Sequence, residues 1–264
     1  MADESDFSKL WRSAYRLLDE IGRPIAEDPE ANNHRIEILE KIIGVLDKAM
    51  KYSPTNPEFF YFRAQMYQSL GRYEEARINY DEAVDQLGIR KILADEEEVL
   101  RMIREARGGT TGYRFPEILD RRAQVLIVLG KAEEALQDLD MILRIEDNFM
   151  FHVTRGFALN KLGRYGEAVT ALDESVELYD NPRIHSLLGD AYSGIGQKGK
   201  AIEHYEHAIE LYEGDEWQGA GESYIPVVRA QRGLHSLGVK FEKDYERRGL
   251  EMNLINPEYL KALE

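Results

Sequence analysis

Apolar residues recur along this chain in steps of three and four, and the steps fall into blocks that repeat. A Leu-Gly or Ile-Gly pair closes five blocks, at Leu70-Gly71, Leu129-Gly130, Leu162-Gly163, Ile195-Gly196 and Leu237-Gly238, and the two inner intervals are each 33 residues. Seven residues before the glycine stand Ala64, Ala123, Gly156 and Gly189, and four before it stand Tyr67, Leu126, Leu159 and Tyr192. Fourteen before it stand Pro57, Pro116, Phe149, Pro182 and Tyr224, and Asn precedes two of the prolines. Asn as a cap and Pro in the first turn start a helix, while Gly after Leu or Ile stops one by taking positive φ. The spacing therefore predicts a first helix of about 14 residues in each block.

After each glycine a second helix is predicted from the stripes Ala76, Tyr80, Ala83; Ala135, Leu139, Ile142; Ala168, Leu172, Ser175; and Ala201, Tyr205, Ala208. Small residues facing small residues let two antiparallel helices approach closely, with the larger side chain filling the groove beside them. Upstream, Ile42, Leu46 and Ala49 repeat the stripe and place a helix over 35–52, ended by Pro54, with a partner over 7–21 stopped by Gly22. Downstream the fifth unit degenerates, because Lys243 and Arg247 occupy stripe positions, as in a terminal cap. Asn256-Pro257-Glu258-Tyr259 then nearly copies Asn56-Pro57-Glu58-Phe59 and predicts another first helix.

The expected fold is all-α: one domain over 1–264, a right-handed superhelix or α-solenoid of five to six antiparallel helix pairs. The pairs fall at about 7–53, 57–88, 116–147, 149–180, 182–212 and 224–252, with an inserted segment at 89–115 and a capping or truncated helix at 257–264. The insertion is predicted to be partly helical, with Asp95 and Glu98 at its start, Val99, Leu100 and Ile103 on its face and Gly108 as its stop. A second, shorter insertion at 213–222 reads as a glycine-rich loop around Trp217, whose ring is expected to fold back on the stack in preference to anchoring a partner.

These positions resemble the tetratricopeptide repeat, with its pattern W-x2-L-G-x2-Y followed by A-x3-F-x2-A and a proline. One unit matches through Phe60, Ala64, Tyr67, Gly71, Tyr73, Ala76, Tyr80 and Ala83, and another through Gly189, Tyr192, Gly196, Ala201, Tyr205 and Ala208. No unit carries Trp at the leading position, where Phe60, Leu119, His152, His185 and Val227 stand. The resemblance implies a protein-interaction module whose concave face, built by the first helices, receives a polypeptide. It implies a lining of Tyr61, Gln65 and Gln68; Asp120, Gln124 and Ile127; Val153, Phe157, Asn160 and Lys161; Ser186, Asp190 and Ser193; and Val228, Arg232 and His235. With Met150, Val153 and Phe157 at its middle the groove is expected to be apolar there and polar at its rims. The peptide-binding residues expected are Tyr61, Gln65, Gln124, Met150, Val153, Phe157, Asn160, Lys161, Asp190 and Arg232. The Lys and Asn set by which co-chaperone members of the family clamp a C-terminal carboxylate is replaced here mostly by Tyr, Gln, Asp and Val.

Charge narrows the partner. With 49 acidic and 34 basic residues the formal charge is −15, which repels phosphate backbones and favours a protein or peptide of basic character over nucleic acid. The densest basic run, Arg101, Arg104, Arg107 and Arg114, adjoins acidic Asp95 to Glu98. There is no cysteine, so disulfides and thiolate metal sites are excluded. The first residues lack a basic and apolar leader, and no apolar run approaches the roughly 18 residues of a membrane span, so a cytoplasmic protein without membrane contact is expected.

Candidate chemistry is sparse. Gly108-Gly109-Thr110-Thr111-Gly112 follows a predicted helix, where a phosphate cradle would open one, and lacks the Lys a P-loop needs. His204 and His207 are three apart on one helix, a spacing able to grip an ion, but no third ligand is evident, so no metal or other cofactor is expected. His152 and His185 take equivalent places in consecutive units, too far apart to share an ion, and read as neutral packed imidazoles. No triad or acid/base pair is singled out by spacing, and the chain reads as a scaffold or adaptor, not an enzyme. Two alternatives stay open: a homo-oligomer formed through the terminal half-unit, with Leu260 and Leu263 on one face, and a receptor for a small ligand or signalling peptide.

Overall fold

The computed structural model describes residues 4–20, 29–88, 97, 115–144, 146–214, 224–240, 243–251 and 260. They form helices α1 (Glu4–Glu20), α2 (Pro29–Met50), α3 (Pro57–Ser69), α4 (Tyr73–Gln86), α5 (Phe115–Val128), α6 (Ala132–Leu143), α7 (Phe149–Lys161), α8 (Tyr165–Val176), α9 (Pro182–Gly194), α10 (Lys198–Glu213), α11 (Tyr224–Ser236) and α12 (Tyr245–Glu251). Consecutive helices pair, each second helix packs on the next first helix, and α5, α7, α9 and α11 also touch in sequence, giving the right-handed superhelix of antiparallel pairs. No strand occurs among the described residues, and no described helix is long and apolar enough to cross a membrane.

The helix ends follow from the residues that predicted them. Asn56 Oδ1 accepts from the Glu58 amide at 2.9 Å, Asn148 from Met150 at 3.0 Å and Asn181 from Ile184 at 3.0 Å, each satisfying an amide the helix leaves open. At the other end Gly71 takes φ 72°. That turn lets the Arg72 amide reach back to the Tyr67 carbonyl at 2.9 Å and the Gly71 amide to Gln68 at 3.0 Å. The same closure recurs from Lys131 to Leu126, Arg164 to Leu159, Gln197 to Tyr192 and Val239 to Leu234.

Boundaries differ at the ends of the stack. Helix α2 starts at Pro29, six residues before the expected 35, because Pro fits the first turn of a helix whose apolar stripe appears only later. Helix α12 is short: Lys243 and Arg247 are exposed, and Tyr245 with Gly249 fills the buried face in their stead. Leu260 is only 7% exposed and packs against this chain's own core, and its carbonyl accepts from Arg232 at 3.1 Å. The expectation that Leu260 offers an open face to a second copy is thus corrected. Helix α4 packs directly on α5, so the stack continues across the insertion. Apart from Glu97 and Phe115, the inserted segment 89–115 lies outside the described residues, as do Trp217, Leu263 and the Asn256-Pro257-Glu258-Tyr259 segment.

Packing within a pair sets a small residue against a large one. A Cβ added at Gly189 would stand 2.3 Å from the Tyr205 ring, one at Gly233 2.2 Å from the same ring, and one at Gly156 2.5 Å from Leu172 Cγ. Tyr205 is therefore clasped between two helix backbones that only glycine lets approach. Ala64 and Ala123 face the fully buried Tyr80 and Leu139 in the same register.

Between units the sequence reading missed a repeated ion pair. Arg122 on α5 donates to Asp81 on α4 at 2.6 Å and to Asp138 on α6. One unit earlier Arg63 donates to Asp47 of α2 at 2.6 Å and to Asn79 of α4 at 2.7 Å, and one unit later Arg155 donates to Asp140 at 3.2 Å. Each arginine stands eight residues before a closing glycine. The next such position is Leu188, so the series stops there. Arg122 is buried, and a buried cation between two carboxylates fixes register more than it adds net stability.

Asp120 is the contrasting buried charge. Its Oδ2 accepts from Gln124 at 2.7 Å. Burial raises its carboxyl above the ordinary 3.8, offset only in part by Thr154, Arg183, Arg121 and Gln124.

This packing sets what single substitutions should do. Gly189→Ala is expected to cost about 1–3 kcal/mol in urea unfolding, because Tyr205 cannot yield. Gly44→Ala, which meets nothing within 4 Å, should instead gain about 0.5–1 kcal/mol. Arg122→Ala is expected to lose about 3 kcal/mol by removing the cation beside the buried Asp138, measured by the same unfolding curves. A native carboxyl that holds its proton more tightly than the unfolded one loses stability as pH rises through and above 3.8. Asp120→Asn should therefore match the wild type in acid and exceed it at neutral pH, and equal unfolding midpoints at neutral pH would refute the assignment.

Candidate functional site

The face of the first helices that their partners leave uncovered is the candidate site, and its side chains fall into rows set by distance from the closing glycine. The row ten before it, Tyr61, Asp120, Val153, Ser186 and Val228, is buried throughout. In α5, α7, α9 and α11, which touch in sequence, they are covered by neighbouring helices, Tyr61 of α3 lies against Tyr80 of α4, and none of them lines an open groove. The expectation for Tyr61 and Val153, 2% and 1% exposed, is corrected accordingly.

The row six before the glycine, Gln65, Gln124, Phe157, Asp190 and Arg232, is half-exposed except at Phe157. Phe157 is 3% exposed because the Arg229 guanidinium lies 4.6 Å above its ring. The expected apolar middle is thus closed over by an arginine from α11, and Met150 alone of its three residues stays half-buried. Asn160, also buried, spends its amide on the Leu187 carbonyl of α9 at 2.8 Å, while Lys161 is exposed at the end of α7. Such inter-helix pairing needs knowledge of which first helices touch, and single-chain spacing does not hold it.

The half-exposed groups are held in place by their neighbours. Gln65 donates to Tyr61 Oη at 2.9 Å and Gln124 to Asp120 at 2.7 Å. Asp190 accepts from Tyr205 at 2.7 Å and from Arg229 at 2.8 Å. Burial, with Asp190 beside it, pushes the Tyr205 hydroxyl far above its ordinary range, so it remains a donor at any working pH. Arg232 makes a two-point contact with Glu246 at 2.7 and 2.9 Å, and that hydrogen bonding holds the Glu246 carboxyl below its usual value. The row thus presents amide, amide, carboxylate and guanidinium groups already fixed in orientation, the arrangement that lowers the ordering cost of holding a polypeptide.

Two tetratricopeptide-repeat family models match this chain, one over residues 57–86 and one over 147–214. No curated protein sequence matches it. Among solved structures it is similar to PilW, a widely conserved type IV pilus biogenesis factor, with TM-score 0.57 and 15% identity over 100% of both chains. It is also similar to TTC0263, a thermophilic TPR protein of Thermus thermophilus, with TM-score 0.51 and 20% identity, covering 87% of this chain and 99% of that one. For MamA (41-end) of Desulfovibrio magneticus RS-1 the TM-score is 0.55 at 17% identity, covering 80% of this chain and 98% of the other. At these identities the likeness concerns the fold. The matched segments are units whose caps, closing glycines and small-against-large contacts are described above, and residues 57–86 and 147–214 of the chain are tetratricopeptide repeats.

Proposed function

We propose that this protein is a non-catalytic scaffold that holds a segment of a partner protein along the half-exposed row Gln65, Gln124, Asp190 and Arg232, with Lys161 beside it. The observation that carries the reading is the repetition of one offset: four of the five units, all but that of Phe157, set a polar side chain at the same place, and neighbours fix each one. Groups ordered before binding cost little to order on binding, so a few of them support useful affinity. The formal charge of −15 favours a segment of basic character and speeds its encounter at low salt. Phe157 and Tyr61 serve this reading from beneath, as packing.

Peptides selected from a random library on the purified chain, then titrated by fluorescence anisotropy, test the proposal. The double variant Gln65→Ala with Gln124→Ala is expected to weaken binding about tenfold, roughly 1.4 kcal/mol, with the circular dichroism spectrum unchanged. Glu206→Ala, on the second-helix side, is expected to leave it unaltered. Undiminished affinity in the double variant would remove the row as the site. Phe157→Ala is expected to act on stability, lowering it by about 3–5 kcal/mol.

A further inference from the structure

The 33-residue register brings one constellation round twice. Asp147, His152 and Glu174 in the α7–α8 unit stand 33 residues before Asp180, His185 and His207 in the α9–α10 unit. In the first unit the two acids sit against opposite nitrogens of one ring, Asp147 2.8 Å from His152 Nε2 and Glu174 3.7 Å from Nδ1. They pin the imidazole and share no common point.

In the second unit the replacement of Glu by His changes the geometry. His185 Nε2 stands 2.7 Å from Asp180 Oδ1, and His207 Nε2 stands 3.4 Å from Asp180 Oδ2. One donor atom from each of Asp180, His185 and His207 lies within 4.8 Å of the others, the only such group of three among the described residues. The two imidazoles meet edge to face, with ring centres 4.4 Å apart and planes at 89°. The far nitrogens are already engaged: His185 Nδ1 lies 2.8 Å from His204 Nδ1, and His207 Nδ1 lies 3.3 Å from Glu210 Oε2. His204 is itself stacked on Tyr192, the planes 3° from parallel at 5.2 Å.

We infer that Asp180, His185 and His207 form a binding site for a divalent transition-metal ion of the zinc class, with His204 and Glu210 orienting the two imidazoles from behind. Two imidazoles and one carboxylate are the donor set such ions take, and a fourth position is left to water. At the ordinary zinc–nitrogen length of about 2.0–2.1 Å, ligand atoms in a tetrahedral shell lie about 3.3 Å apart. The His207–Asp180 separation already has that value, and the half-exposed Asp180 reaches it toward His185 by a small turn of its carboxylate. Protonation is consistent: each imidazole gives its Nε2 lone pair to the ion and keeps its Nδ1 hydrogen, donated to His204 or Glu210. The ion would tie the turn before α9 to the middle of α10, stapling one helix pair.

The test uses the full chain without a polyhistidine tag, titrated with Zn²⁺ by calorimetry and with Co²⁺ by visible absorption. One ion per chain is expected, with ligand-field bands of a four-coordinate site. His207→Ala and Asp180→Asn, both at partly exposed positions, should each weaken binding about tenfold or more. His152→Ala, at the equivalent place one unit earlier, should bind like the wild type. Zn²⁺ should raise the melting temperature of the wild type more than that of His207→Ala at the same concentration. No saturable binding to the wild type, or equal weakening by His152→Ala and His207→Ala, would overturn the assignment.

Discussion

Every layer of this stack depends on one contact, the insertion of a large side chain from a second helix into the notch left by a small residue on a first helix. Tyr205 between Gly189 and Gly233 is its most developed form, since the ring touches two backbones at once. That contact sets the separation of α9 from α10 and of α10 from α11. A single helix pair buries only one side of such a ring, so the unit is complete only when its neighbour has docked.

Close docking has a second effect. Because α5, α7, α9 and α11 also touch one another, Asp120, Val153, Ser186 and Val228 disappear into the interior, and Arg229 closes over Phe157. What stays reachable is one polar row. The ion pairs of Arg63, Arg122 and Arg155 with the second helix of the preceding unit fix how far each pair is rotated on the last. The uncovered row and the inter-unit pairs are thus two results of the same rotation.

The fold was legible because helix starts, stops and stripes are local in sequence. Asn56, Asn148 and Asn181 cap where spacing put them, and the five glycines close their helices by the same backbone bonds. The site was legible only in part. Gln65, Gln124, Asp190 and Arg232 are partly exposed and Lys161 is exposed, but Tyr61, Val153, Phe157 and Asn160 are buried. Their burial is set by a neighbouring unit and leaves no mark in one helix's periodicity. His204 and His207 were singled out by spacing, but Asp180 and His185 come from a turn and a different helix, and a search along one helix does not find them.

The stop of the arginine series at Leu188 has a mechanical consequence. Junctions before that point are latched by charge and packing together, whereas the seam between α8 and α9 is held without that latch. Ala230 takes the same place in the last first helix, so salt, which screens ion pairs, should loosen the junctions of the first half of the stack more than those of the second.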